Sequence, residues 1–350
     1  MGSKLYHRKF LTVINVAIAV FLMVGIMNGR TMARDLIKIP EAEKIIITVV
    51  ADNYTDAVRP DYKIAKRPVV ATSPLDVAMH AEHGLAYHVE TIVNNSAHSF
   101  LFDFGTDYYG VKKNLDLLKI NLNSLEAIAL SHDHFDHQGT LVELLGDERN
   151  GIPRGIPFFV GRQTFIDKYY RLPDGRVVSE LPLKREEVER SRVVKIVEIE
   201  NPTQIVPGAY LTGTIEMVMP FEKPNPACLI KKGDQFVQDG LIGEQAVILN
   251  VKGKGLVVIS ACAHRGIVNT VKYAQKITGI RKVHAIIGGF HLTGAEPEII
   301  QKTIAEIKAI NPDYIIPIHC TGFETVSAFA REMPDQFILN TVGTRYIITE

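Results

Sequence analysis

The sequence predicts a layered α/β domain in which two β-sheets are covered by helices. Two observations carry that reading. The early body of the chain consists of short strand-like runs joined as hairpins, and its last third alternates strands with helices. A third observation fits: 350 residues with 46% hydrophobic content can bury one large core or two modest ones. No internal repeat, low-complexity stretch or linker divides the body, which is read as one catalytic domain over 43–350.

The elements follow in order. Ile45, Ile46, Ile47, Thr48, Val49 and Val50 form a β-branched run that Ala51-Asp52-Asn53 ends. Further strands are expected at 86–93, 99–103 and 126–130, with Asn94-Asn95-Ser96 suited to a hairpin turn. In the last third, 256–260 is an apolar strand. Ile267, Val268, Val271 and Ala274 then share a helical face, and Gly279 suits a C-terminal cap. The run 283–287 is again a strand. Pro297 suits a first helical turn, with Ile299, Ile300, Ile304 and Ile307 on one side. The run 314–318 is a strand that ends at His319. The charged stretch at about 165–201, with Leu172-Pro173-Asp174-Gly175, is expected to be an inserted loop or lid.

Residues 1–34 differ from the body. Lys4, Arg8 and Lys9 precede an uncharged apolar run over 10–27, and Arg30 and Arg34 follow it. This is the pattern of a signal peptide or an N-terminal membrane anchor, although the run is near the lower limit of about 17–25 residues for a spanning helix. It predicts an exported or membrane-anchored protein whose catalytic part lies outside the cytoplasm. Lys plus Arg equals Asp plus Glu at 39 each, with no long run of like charge, so the footprint of a nucleic-acid binder is missing and a small-molecule substrate is expected. Cys228, Cys262 and Cys320 are odd in number, contain no CxxC pair and do not form a disulfide framework.

The chemistry is expected where the strands end. Strand 126–130 runs into His132-x-His134-x-Asp136-His137. Residues two apart on extended chain project the same way, so His132 and His134 can grip one ion. Asp136 and His137 fall at the start of a helix expected to continue through Leu141 and Leu145, and they can face a second ion. Imidazole with carboxylate suits zinc, iron, manganese or cobalt. Three histidines and two aspartates within six positions after a buried strand have no simple packing explanation, since each needs a partner or solvent.

That motif resembles the signature of the metallo-β-lactamase superfamily. Glu82-His83-Gly84-Leu85 with Phe100-Leu101-Phe102-Asp103-Phe104-Gly105 is similar to the early strand pair of that fold, whose Asp-x-Gly turn supports the metal loop. Three later segments are Ser260-Ala261-Cys262-Ala263-His264-Arg265-Gly266, Gly288-Gly289-Phe290-His291-Leu292 and Pro317-Ile318-His319-Cys320-Thr321-Gly322. They resemble one branch in particular, that of proteins similar to 7,8-dihydropterin-6-methyl-4-(β-D-ribofuranosyl)aminobenzene-5′-phosphate synthase. The resemblance implies a four-layer αββα sandwich with two divalent ions, zinc first and iron or manganese as alternatives, at one edge. It implies that His132 and His134 hold the first ion and that Asp136, His137 and His319 hold the second. Cys262 stands where many members place a bridging aspartate, so it is either a thiolate ligand of the second ion or a packed residue. His264 is expected to complete the first site. His291 is assigned to substrate contact or proton transfer, and Asp136 also to orienting the nucleophile. Arg265 is either an anion contact or a solvated charge, and Asp133 is a supporting or solvent-facing residue. His80, His83, His88, His98 and His284 are assigned structural or exposed positions.

The expected activity is hydrolysis of a small phosphoester or related ester by metal-bound hydroxide. Two rivals stand beside it: iron-dependent oxidoreductase chemistry on the same fold, and a non-catalytic metal-bearing surface protein. Against the diiron form of the first rival, this chain has His134 where that form has a carboxylate.

Overall fold

The branched run at the start of the body becomes the strand Lys44–Ala51, with Ile45, Ile47 and Val49 fully buried on one face. The computed structural model describes residues 36–68 and 78–350. The expected leader over 1–34 lies outside them. Among the described residues no helix is long and apolar enough to cross a membrane.

Lys44–Ala51 sits inside an eight-stranded sheet. The order is Ala65–Lys66, Arg345–Thr349, Lys44–Ala51, Ala86–Val93, Ser96–Phe102, Ala127–Ala129, Ile156–Gly161 and Val194–Ile199. The hairpin expected at Asn94-Asn95 is present, and both residues take the positive φ that such tight turns require. A six-stranded sheet faces it, ordered Thr203–Val206, Ala209–Leu211, Val247–Val251, Gly255–Ile259, Val283–Gly289 and Tyr314–Ile318, the last three parallel.

Period-two alternation divides the side chains among the layers. Tyr87, Val89, Phe100 and Phe102 from one sheet meet Val257, Ile259, Ala285, Ile287 and Ile316 from the other in a continuous apolar core. On the outer face of the six-stranded sheet, Val258, Ile286 and Ile315 pack against Val268 and Val271 of helix Ile267–Thr278, Ile304 and Ile307 of helix Pro297–Ile310, and Phe329 of helix Phe323–Glu332. On the other outer face, Leu101, Ile128 and Phe158 pack against Val111 and Leu115 of helix Tyr108–Leu117 and against Leu141, Leu144 and Leu145 of helix Leu141–Gly146. The result is helix, sheet, sheet, helix.

Two local expectations are corrected. The 165–201 stretch is not a uniform loop. Lys168–Arg171 and Val177–Ser179 join Cys228–Lys232 and Gln235–Gln238 in a separate four-stranded sheet, whereas Val194–Ile199 pairs in parallel with Ile156–Gly161 as an edge strand of the main sheet. Lys195 and Glu198 project outward from that edge and hide a strand behind a charged composition. The helix after the metal motif is also shorter than expected. Phe135–Gln138 is one turn, interrupted at Gly139 and Thr140, where the Thr140 hydroxyl donates to the Phe104 carbonyl at 2.5 Å. A four-residue turn adds little dipole to the site.

Candidate metal centre

Five strands deliver the site from their carboxyl ends, where open α/β sheets place ligands. Ser96–Phe102 leads to Asp103, Ala127–Ala129 to residues 131–137, Gly255–Ile259 to Cys262 and His264, and Val283–Gly289 to His291; Tyr314–Ile318 leads to His319 in the same way. Asp103, Ala263, His291 and His319 all adopt left-handed backbone conformations. Such residues persist only where the surroundings hold them, and they gather at functional sites. At His319 the holding groups are visible: Asp52 Oδ1 accepts from its N–H at 3.0 Å, and Asn53 donates to its carbonyl at 3.1 Å. Gly288 and Gly289 allow the closest approach of the strands. A Cβ on Gly288 would stand 2.1 Å from the Ser260 carbonyl oxygen, and one on Gly289 would stand 2.7 Å from Cys320 Sγ.

Asp103 organises the loop as the Asp-x-Gly turn was expected to. Its carboxylate accepts from the Ser131 N–H at 2.7 Å, the Ser131 hydroxyl at 2.8 Å and His137 Nδ1 at 2.7 Å. The Ser131 oxygen in turn stands 2.8 Å from His132 Nδ1. With its own proton directed at Asp103, Ser131 accepts from His132. His132 is thereby fixed as the Nδ1–H tautomer with its Nε2 lone pair facing inward, and the His137 ring is oriented with Nδ1–H on Asp103 and Nε2 inward, the outer support that metal-ligating histidines require.

His132 Nε2 is 3.1 Å from His134 Nδ1 and 3.1 Å from His264 Nε2. Nitrogens bound at about 2.0–2.1 Å to one tetrahedral ion stand about 3.3 Å apart, so these three are spaced as ligands of a single cation. Burial is the main cause that holds His132, His134 and His264 in the neutral, ligating form. It lowers their pKa values, that of His134 to about 4, and neighbouring imidazoles add to the effect at His132 and His264. Glu244, itself buried, accepts from the backbone N–H groups of His264 and Arg265 at 2.7 Å each and fixes that turn.

Beside this set lies a second. Asp136, His137, Cys262 and His319 offer ligand atoms all within 4.8 Å of one another. Asp136 Oδ2 is 3.2 Å from His319 Nε2 and 3.6 Å from His137 Nε2, and Cys262 Sγ is 3.1 Å from His137 Nε2. Burial opposes charge on His137, but Asp136 and Asp103 outweigh it and draw its pKa up to about 9. The pocket therefore favours positive charge, of which a divalent ion supplies two units where a proton supplies one. Burial pushes the Cys262 thiol up, so without a cation it is a neutral thiol. The chemistry of both donor sets fits a pair of divalent ions.

The structure thus gathers His132, His134, Asp136, His137, Cys262, His264 and His319 at one place. It brings His291 there as well, with its ring centroid 4.0 Å from that of His264 and its imidazole against Cys320. Arg265 is not available to an anion in the way considered from sequence. Its guanidinium donates to the carbonyls of Ile215 at 2.8 Å and of Gly240. Asp133 is buried and faces Lys168 rather than solvent.

Two residues at the site were not chosen from sequence. His83, placed among the structural histidines, has Nε2 3.5 Å from Asp136 Oδ2 and stacks on His319 with ring centroids 5.0 Å apart. Its signal was the Glu82-His83-Gly84 turn. There Glu82 accepts from the N–H groups of Thr106 and Asp107, which seats the turn against the Asp-x-Gly loop. Glu180, from the small sheet's connecting chain, lies 3.8 Å from His134 Nε2, and no local pattern marks it.

Comparison with known proteins shows the family and the fold. The chain is 34% identical over 260 residues to the 7,8-dihydropterin-6-methyl-4-(β-D-ribofuranosyl)aminobenzene-5′-phosphate synthase of Methanocaldococcus jannaschii, a match covering 73% of this chain and 87% of that one. It belongs to that family. An uncharacterized protein of the same organism is 28% identical over 267 residues, covering 75% of this chain and 92% of its own. Among solved structures, a metal-dependent hydrolase of the β-lactamase superfamily superposes with a TM-score of 0.67 at 24% identity, covering 87% of this chain and 100% of the other. The metallo-β-lactamase fold protein YhfI of Bacillus subtilis gives 0.50 at 11% identity, covering 87% of this chain and 100% of its own. The chain therefore has the metallo-β-lactamase fold. No protein-family model matches the chain.

Proposed function

We propose that this protein is a metal-dependent hydrolase acting on a small phosphoester or related ester, with His132, His134 and His264 holding one divalent ion and Asp136, His137, His319 and Cys262 holding the other. The observation that carries the reading is the convergence of three neutral imidazoles, with His132 Nε2 3.1 Å from both His134 Nδ1 and His264 Nε2, beside a carboxylate-imidazole-thiol set. When bound, such an ion pair supplies Lewis acidity and a hydroxide nucleophile at neutral pH.

The chain's own groups do the rest. Ser131 and Asp103 fix the ring orientations of His132 and His137, so no reorganisation is needed when substrate arrives. Asp136 stands between the imidazoles of His137 and His319, which hold its carboxylate ionised despite burial. Its oxygen accepts the proton of the attacking water and orients that water's lone pair toward the substrate. His291, at the edge beside His264, contacts the leaving group and donates its proton. Metal analysis combined with a phosphodiester, phosphomonoester, lactone and β-lactam panel tests the proposal. Two ions per chain and chelator-sensitive ester cleavage are expected. Bound iron with oxygen uptake and no ester cleavage would sink it.

The family relation favours one further reading. The Methanocaldococcus relative is a synthase of a pterin-linked ribofuranosyl aminobenzene phosphate by its name, so the same centre here would pass its substrate to an acceptor other than water. Product analysis with and without an added aromatic amine separates transfer from hydrolysis.

A further inference from the structure

A groove of 630 Å³ opens beside the second ligand set, and exposed His83, whose Nε2 stands 3.5 Å from Asp136 Oδ2, lines it on the side nearest that set. That volume is within the ordinary range for small-molecule sites, about 300–1,000 Å³. Its other walls are Tyr54, Phe323, Val326, Ala330, Phe337 and Leu339. No lysine or arginine is among the described residues that line it.

The polar groups of the lining are largely committed elsewhere. Asp52 accepts from the His319 N–H and from Asn340 at 2.7 Å, Asn53 donates to the His319 carbonyl, and the Thr293 hydroxyl donates to the Cys320 carbonyl at 2.9 Å. What remains for a ligand is carbon surface and ring faces. The rings are conspicuous in their exposure: Phe323 is 80% exposed and Tyr54 44%, although both are large apolar side chains that water disfavours. The side chain of His83 is 61% exposed and lies nearly parallel to His319, at 21°, with the face away from His319 left for another ring. Aromatic faces disposed this way favour a planar ring in stacked or edge-to-face contact.

We propose that this groove is the subsite for a planar aromatic portion of the substrate, which places the labile bond over the metal-ligand cluster. The inference rests on the hydrolase reading for what happens at the bond, and adds the substrate class, an aryl ester in preference to an alkyl one. The division of labour follows from the charges. The anionic group is drawn to the cation site, and the uncharged ring is drawn to a wall that offers no cation.

The chain contains no tryptophan, so Phe323→Trp introduces a single reporter at the rim. In the metal-loaded full-length F323W protein, 1-naphthyl phosphate is expected to shift the tryptophan emission saturably, and methyl phosphate is expected to bind at least 10-fold more weakly. Adding Ala330→Leu or Val326→Phe, which fill the groove, is expected to weaken naphthyl phosphate binding at least 10-fold, with metal content and circular dichroism unchanged. Equal affinity for the two phosphates, or naphthyl affinity indifferent to both filling substitutions, overturns the subsite. An emission shift that follows protein concentration without ligand also overturns it, because a second copy then covers the groove. Because the readout is binding, loss of ester turnover with the ring preference intact refutes the hydrolase reading alone. Turnover without ring preference refutes the subsite alone.

Discussion

Lys168 Nζ lies 3.6 Å from Asp133 Oδ1 and 2.6 Å from Asp239 Oδ2, with all three side chains at most 6% exposed. Asp133 sits between His132 and His134 of the first ligand set, whereas Lys168 begins the small four-stranded sheet. The ammonium therefore ties the inserted sheet to the metal loop. Burial raises the Asp133 carboxyl to about 7 even with that lysine present, which shows how strongly the pocket resists unpaired charge.

Removing one member of a buried ion cluster leaves the others uncompensated, at a typical cost of about 3–5 kcal/mol. Lys168→Met is expected to lower the unfolding free energy by that order in urea denaturation. A loss below about 1 kcal/mol would show that the sheet is not anchored through this contact.

Asp103→Asn tests the outer support of His137. The carboxylate that accepts His137 Nδ1–H and both Ser131 donors becomes an amide with a single acceptor oxygen. Metal affinity is expected to fall about 10–100-fold, with the fold retained. Competition with a chromogenic chelator measures it, and an unchanged affinity rejects the role of Asp103 in orienting His137.

The two ligand sets are separable by substitution. His134→Ala is expected to remove one ion per chain and to abolish turnover. Cys262→Ser is expected to weaken the second ion while leaving the first in place. Elemental analysis after dialysis reads both, and full metal content in either variant retires that residue as a ligand.

Stability in acid should depend on His88, far from the site. It is 3% exposed, neither ring nitrogen has a hydrogen-bond partner, and burial lowers its pKa from 6.5 to about 4. At pH 7 it is neutral whether folded or unfolded. Between about 6.5 and 4 only the unfolded chain takes up the proton, so its contribution is present at neutral pH and is lost as pH falls through that window. The loss is about 2–3 kcal/mol, at about 1.4 kcal/mol per pH unit. His88→Leu should lack this share of the acid slope, seen as a smaller drop in unfolding free energy from pH 7 to pH 4. Parallel slopes would reject it.

Much of the architecture was legible because it is periodic. The alternation of Ile45, Ile47 and Val49, the helical spacing of Ile267, Val271 and Ala274, and the Gly279 cap each follow from local geometry, and each appears as expected. The edge strand Val194–Ile199 was missed because its outward charges masked a half-buried pattern. His83 and Glu180 were missed for a different reason: both reach the site from segments distant in sequence from the loops they approach.

The sequence by itself determined that a buried strand ends in His132-x-His134-x-Asp136-His137, since hydrophobic alternation and ligand spacing are properties of neighbours along the chain. It did not decide which later residues join them. His264 stands 132 positions from His132, and only the parallel order of strands Gly255–Ile259, Val283–Gly289 and Tyr314–Ile318 brings their carboxyl ends to one edge. Tertiary structure also turned Arg265 onto backbone carbonyls, buried Asp133 against Lys168 and opened an apolar groove beside His319. Those outcomes depend on which elements pack side by side, and packing is a property of the whole chain at once.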